Sequence, residues 1–143
     1  MLRRCVLLRR PLQLLLAGAA ATVVMAFSAP SFSAERGFPF DSEIMLDAKP
    51  MKGSKRVPVI GIGPNGEASM DLWCNSTAGR FVVVDNTVTV ITGTRTDRQC
   101  DAARMRGDDD FLAALAEVTT WSRAGDLVTL QGARTLRFRV PTN

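Results

Sequence analysis

Between Arg80 and Ile91 the chain carries two β-branched runs, Arg80 to Val84 and Thr87 to Ile91, separated only by Asp85-Asn86. Branching at Cβ crowds a helix and fits a pleated strand. Asp and Asn both tolerate positive φ, so the pair between the runs suits a two-residue hairpin loop. The segment predicts an antiparallel hairpin, and an antiparallel hairpin with alternating side chains has to bury one face against more sheet. This commits the chain to a β-rich architecture.

The flanking sequence supplies that sheet. Phe40, Ile44 and Leu46 alternate with Asp41, Glu43 and Asp47, which predicts a half-buried strand over Phe38 to Leu46. Pro50 to Arg56 is basic and turn-like. A short strand from Val57 to Ile62 follows, then the Gly63-Pro64-Asn65-Gly66 turn, then Ala68, Met70 and Leu72 alternating with Ser69 and Asp71. Near the end, the turn at Ala124-Gly125-Asp126 leads to Leu127, Val128 and Leu130; after Gly132, Leu136, Phe138 and Val140 alternate with Arg137 and Arg139. The helical pattern lies at Phe111, Leu112, Leu115 and Val118, with Asp108 read as its N-cap and Asp109 and Asp110 as complements to the helix dipole. The sum is a mainly β fold of about seven strands with one short α-helix. Short connections between such strands favour a small antiparallel β-barrel-like domain plugged by the helix.

The N-terminus reads differently. Arg3, Arg4, Arg9 and Arg10 precede an apolar run from Leu12 to Phe27 and then small residues from Ala29 to Ala34. These are the three zones of an export signal. A membrane span needs about 20 consecutive apolar residues, whereas this run is interrupted by Gln13 and Gly18 and breaks at Pro30. The expected organisation is a signal peptide over 1–34, cleaved between 31 and 34, and one domain over 35–143. Export would place the domain in the periplasm without a stable membrane anchor.

Removing that segment changes the charge. The whole chain has a net charge of +4, but the signal accounts for it, and fourteen basic residues then face fourteen acidic ones. A neutral domain lacks the electrostatic footprint of a nucleic-acid binder. Cys5 leaves with the signal, so Cys74 and Cys100 remain. A pair of cysteines in an oxidising compartment favours a structural disulfide; a reduced pair and a redox-active pair are the alternatives.

Several residues together resemble the META domain family, which includes heat-shock proteins of the HslJ type. They are Cys74-Asn75, Gly79 and Phe81, the hairpin from Val82 to Ile91, and Thr96 four residues before Cys100; then Phe111-Leu112, Leu115, Gly125-Asp126-Leu127, Thr129-Leu130, Leu136 and Phe138. Departures from the family pattern fall at Trp73, Thr77 and Arg98. The resemblance implies a compact barrel-like fold with one helix and an association with envelope stress, drug tolerance or secretion. It implies no reaction and carries no catalytic residues.

The composition points the same way. No histidine occurs in the chain, which removes Ser-His-Asp and Cys-His nucleophiles and histidine-based zinc sites. Asp108 to Asp110 lacks the spacing of a calcium loop. Gly61, Gly63 and Gly66 lie between two strands, where no helix N-terminus could hold a phosphate, and they read as a hairpin turn. Asn75-Ser76-Thr77 is a formal glycosylation sequon, although Asn75 beside the cysteine better serves to hold a turn. Arg95, Arg98, Arg104 and Arg106 surround Cys100, diluted by Asp97 and Asp101, and read as a solvated loop, with an anion or lipopolysaccharide contact as the alternative; a contact surface would be sought at Arg95 and Arg98 and at the tryptophans Trp73 and Trp121.

The expected function is that of an exported, non-enzymatic envelope protein, stress- or drug-tolerance-related, acting through contacts with another envelope protein. No cofactor and no metal are expected, and the protein is expected to be a monomer. The alternative is a small periplasmic carrier that binds an apolar ligand inside the barrel.

Overall fold

A computed structural model describes residues 37–141; the export segment and its cleavage site lie outside the described residues. Eight strands form one closed antiparallel barrel: β1 (Ser42–Leu46), β2 (Val59–Ile62), β3 (Glu67–Asp71), β4 (Ser76–Val84), β5 (Thr87–Thr92), β6 (Thr120–Ala124), β7 (Leu127–Gln131) and β8 (Thr135–Arg139). The order around the barrel is the order in sequence, and β8 returns to β1 through Met45 opposite Arg139 and Leu46 opposite Phe138. The single helix, α1 (Ala102–Ala116), lies in the connection between β5 and β6.

The barrel closes because seven of the eight strands turn an apolar side inward, and β6 adds only the half-buried Trp121. Ile44, Ile60, Ile62, Met70, Phe81, Val88, Val90, Val128, Leu130 and Phe138 are buried in one core, and an eight-stranded barrel is just wide enough for side chains to fill it. Position-2 alternation fixes which residues those are. The long β4–β5 hairpin is in register from Gly79 opposite Thr92 to Val84 opposite Thr87, with Asp85 at φ 52° in the loop. Strands β5 and β6 meet only at Thr87 opposite Thr120. Where they diverge, Phe111 and Leu115 of α1 join the core, and the Phe111 ring stands edge-on to Phe138 at 6.2 Å.

The mainly β barrel with one helix is as expected, with eight strands where about seven are predicted. The extra strand is β6, whose residues Thr120 to Ala124 are half-buried or exposed and so lack an alternating apolar signature. Two details need correction. The first strand starts at Ser42 rather than Phe38. Pro39 has no N–H to give a ladder, Asp41 has φ 52°, and Phe38 joins the core, packing against Phe40, Phe81 and Trp121. The helix starts earlier than Asp108: its N-cap is Asp101, whose carboxylate accepts the Arg104 N–H at 3.0 Å.

Candidate functional site

The helix correction gives Asp108 a different task. Its side chain is fully buried in the middle of α1 and accepts three hydrogen bonds: from the Cys74 N–H at 3.0 Å, the Asn75 N–H at 2.9 Å and the Asn75 side-chain amide at 3.1 Å. The carbonyl oxygen of the same Asn75 side chain accepts from the Arg98 N–H at 2.6 Å and from the Thr96 hydroxyl at 3.0 Å. Thr96 Oγ1 in turn accepts the Ser76 N–H at 3.0 Å. Two side chains thus tie the β3–β4 connection, the segment after β5 and the helix into one junction. A buried carboxylate is tolerated only when its lone pairs are occupied, and among the described residues no buried side-chain nitrogen or oxygen lacks a partner.

The cysteines close the same junction. Cys74 and Cys100 form a disulfide with Cα atoms 6.1 Å apart, spanning 26 residues. The sulfur of Met105 on α1 lies 3.7 Å from Cys74 Sγ. Asn75 is 3% exposed, and its amide is committed to Asp108, so the sequon is folded into the junction rather than presented to solvent.

Beside this junction runs a surface groove of about 890 Å³. One wall is the outer face of the sheet, where Met45, Val59 and Asp71 stand opposite one another on β1, β2 and β3. The groove is also lined by the β1–β2 connection, with Lys55 and Arg56, and by Arg98 and Arg104. Trp73 also lines it. The Trp73 indole and the Met51 side chain rest on Gly107 of α1, where an added Cβ would come within 2.8 Å of Trp73 Cδ1 and 2.4 Å of Met51 Cε. Glycine at this point lets the β1–β2 connection lie close to the helix.

The chain matches the META domain family model over residues 42–142. It belongs to the META domain family. No curated protein matches it. Among solved structures this META domain is similar to an NMR structure of a protein from Burkholderia xenovorans, with a TM-score of 0.59 at 19% identity, covering 80% of this chain and 98% of that one. A second NMR structure matches with a TM-score of 0.56 at 20% identity, covering 70% of this chain and 89% of the other. At such identities the likeness is one of fold.

Placed on the META barrel, the candidate contact residues separate. Trp73 and Arg98 share the groove. Arg95 turns to α1, where it pairs with Asp109. Trp121 is on β6; its indole N–H donates to the Asp85 carbonyl at 2.8 Å and its ring meets Phe38 edge-on at 5.1 Å. Of the family-motif positions, Cys74, Asn75, Thr96 and Cys100 form the junction, while Gly79 and Phe81 lie further along β4. At Gly79 a Cβ would stand 2.5 Å from the Ile91 carbonyl oxygen and 2.7 Å from Met70 Cε, so the motif glycine serves packing.

Sequence reading passed over Lys55, Arg56 and Met51 as parts of a basic turn and took Asp108 as a cap. The signal for Asp108 was present: Asp108, Phe111, Leu112 and Leu115 are spaced as one helical face, which puts the aspartate on the apolar side. The groove was marked in part, by Trp73 and Arg98 beside the two cysteines, but nothing in the sequence joins Lys55, Arg56 and Met51 to them.

Proposed function

We propose that this META domain is an exported envelope protein, stress- or drug-tolerance-related, that acts by binding another envelope protein rather than by catalysis. The observation that carries this reading is the braced junction: a disulfide and a buried Asp108–Asn75 clamp hold Trp73 and Arg98 at the rim of an open groove. Preorganised surfaces lose less entropy on association. Tryptophan and arginine are the side chains that dominate interface energetics. Export fits the N-terminal sequence and the use of a disulfide.

The carrier alternative requires interior volume, yet the axis of the barrel is occupied by Ile44, Ile60, Met70, Val128, Leu130 and Phe138, each no more than 1% exposed. Small apolar ligands need a cavity of about 300 Å³ or more. The contact reading is therefore preferred. Photo-crosslinking in the source cells, with the reactive group at groove and non-groove positions, tests it: recovery of a specific envelope partner is expected, and no specific adduct from any position would overturn it.

A further inference from the structure

Resting on the contact reading, we infer that the groove is the binding site for a polypeptide segment whose acidic side chains engage Lys55, Arg56 and Arg98 and whose apolar side chains lie on Trp73, Met45 and Val59.

The charges lining the groove are unequally engaged. Arg104 is paired with Asp101, and Arg139 with Asp47. Lys55, Arg56 and Arg98 have no carboxylate partner among the described residues, and all three are exposed. Three unpaired cations converging on one cleft raise the local concentration of an anionic ligand and steer its approach. Arginine also offers carboxylates two parallel donors. Backbone positions are fixed as well: the Arg98 N–H is held by Asn75 at 2.6 Å, and Cys100, two residues on, is in the disulfide. The site is held ready rather than assembled on contact.

The acids in the same groove decide the class of anion. Glu43 and Asp71 line the groove from β1 and the end of β3 and are likewise unpaired among the described residues. A multiply phosphorylated headgroup filling the cleft would lie against these carboxylates, and like charges at close range are penalised. Between the acids, the in-register residues Met45 and Val59 offer an apolar step, with Met45 40% exposed. A polypeptide satisfies all of these features together. Its carboxylates face the cations, its apolar side chains cover Met45, Val59 and Trp73, and an amide or amine lies near Glu43 and Asp71. At about 890 Å³ the groove has the volume of a ligand-sized cleft.

Fluorescence anisotropy on the oxidised protein recovered after export tests this with a labelled peptide of alternating glutamate and leucine containing a single lysine. Saturable binding is expected, weakened when ionic strength rises. The double variant Arg56→Glu/Arg98→Glu, both exposed side chains, should bind about tenfold or more weakly. Arg80→Ala, outside the groove on β4, should bind as the parent does. A peptide with every glutamate replaced by glutamine should bind about tenfold or more weakly. Equal affinity of parent and double variant, or displacement of the peptide by phosphatidylglycerol vesicles with tighter binding to the vesicles, would overturn the inference. Should peptide binding fail while photo-crosslinking still captures a specific partner, the groove is wrong and the contact reading stands. Should no position capture a partner, the contact reading itself fails.

Discussion

Asp108 and Asn75 are joined twice, through the Asn75 backbone N–H at 2.9 Å and its side-chain amide at 3.1 Å. The pair connects the middle of the helix to the residue beside the disulfide, although 33 positions separate them. Removing the carboxylate strands three donors, the buried Asn75 N–H and side-chain amide and the part-buried Cys74 N–H. Asp108→Ala is expected to lower the unfolding free energy by about 3 kcal/mol, read from urea denaturation. A loss below about 0.5 kcal/mol, the scale of an ordinary surface change, would show that the clamp contributes little.

The disulfide acts on the same junction from the unfolded side. Cross-linking residues 26 apart restricts the unfolded chain by about 3.5 kcal/mol in the chain-entropy view. A Cys74→Ser/Cys100→Ser variant is expected to fold with the same far-ultraviolet spectrum and to lose about that much stability. Combined with Asp108→Ala it should depart from additivity, since both changes loosen Cys74 and Asn75. A double-mutant cycle that closes with no coupling would show that the two braces act independently.

Much of the barrel was legible in the sequence because its strands alternate. Ile44, Ile60, Met70, Val88, Val128 and Phe138 each fall on the inward phase of a period-2 pattern, and all are buried. Strand β6 was not legible. Trp121 is its one large apolar side chain, and its pairing depends on β7 and on the hairpin loop, where the Trp121 N–H donates to the Asn86 carbonyl. The helix start was misread because three consecutive aspartates resemble a cap, while the working cap, Asp101, stands alone next to Cys100. Local chemistry was the same in both places, and burial made the difference. The groove was legible only in part: Trp73 and Arg98 flank the two cysteines that pair, whereas Lys55 and Arg56 have no sequence relation that would bring them to the same cleft.

Two turn glycines separate backbone strain from crowding. Gly125 has φ +61° with open space around its missing Cβ, whereas Gly66 has φ +83° and a Cβ there would sit 2.2 Å from the Phe81 carbonyl oxygen. Gly125→Ala is expected to cost about 1 kcal/mol, the penalty of a left-handed conformation. Gly66→Ala carries that penalty and must also displace β4 backbone, where the Phe81 N–H donates to the Gly66 carbonyl at 2.7 Å. Its cost should be about 3 kcal/mol. Equal costs in thermal unfolding would mean that the β3–β4 ladder shifts freely around Gly66.

Acid should loosen the hold on the start of the helix. Asp101 is held below the ordinary aspartate range, first by the Arg104 backbone N–H and then by the Arg104 side chain. A carboxyl whose folded pKa lies below its unfolded one takes up protons more readily when unfolded, so it stabilises the fold above the ordinary aspartate value of about 3.9. That contribution falls away as the pH drops through the folded pKa. Asp101→Asn keeps a good N-cap but cannot titrate. Its unfolding free energy should therefore decline less steeply with falling pH, below about pH 4, than that of the parent chain. Urea midpoints measured at closely spaced acidic pH values check this. Parallel pH profiles for the two proteins would show that the Asp101 charge has no part in holding the helix terminus.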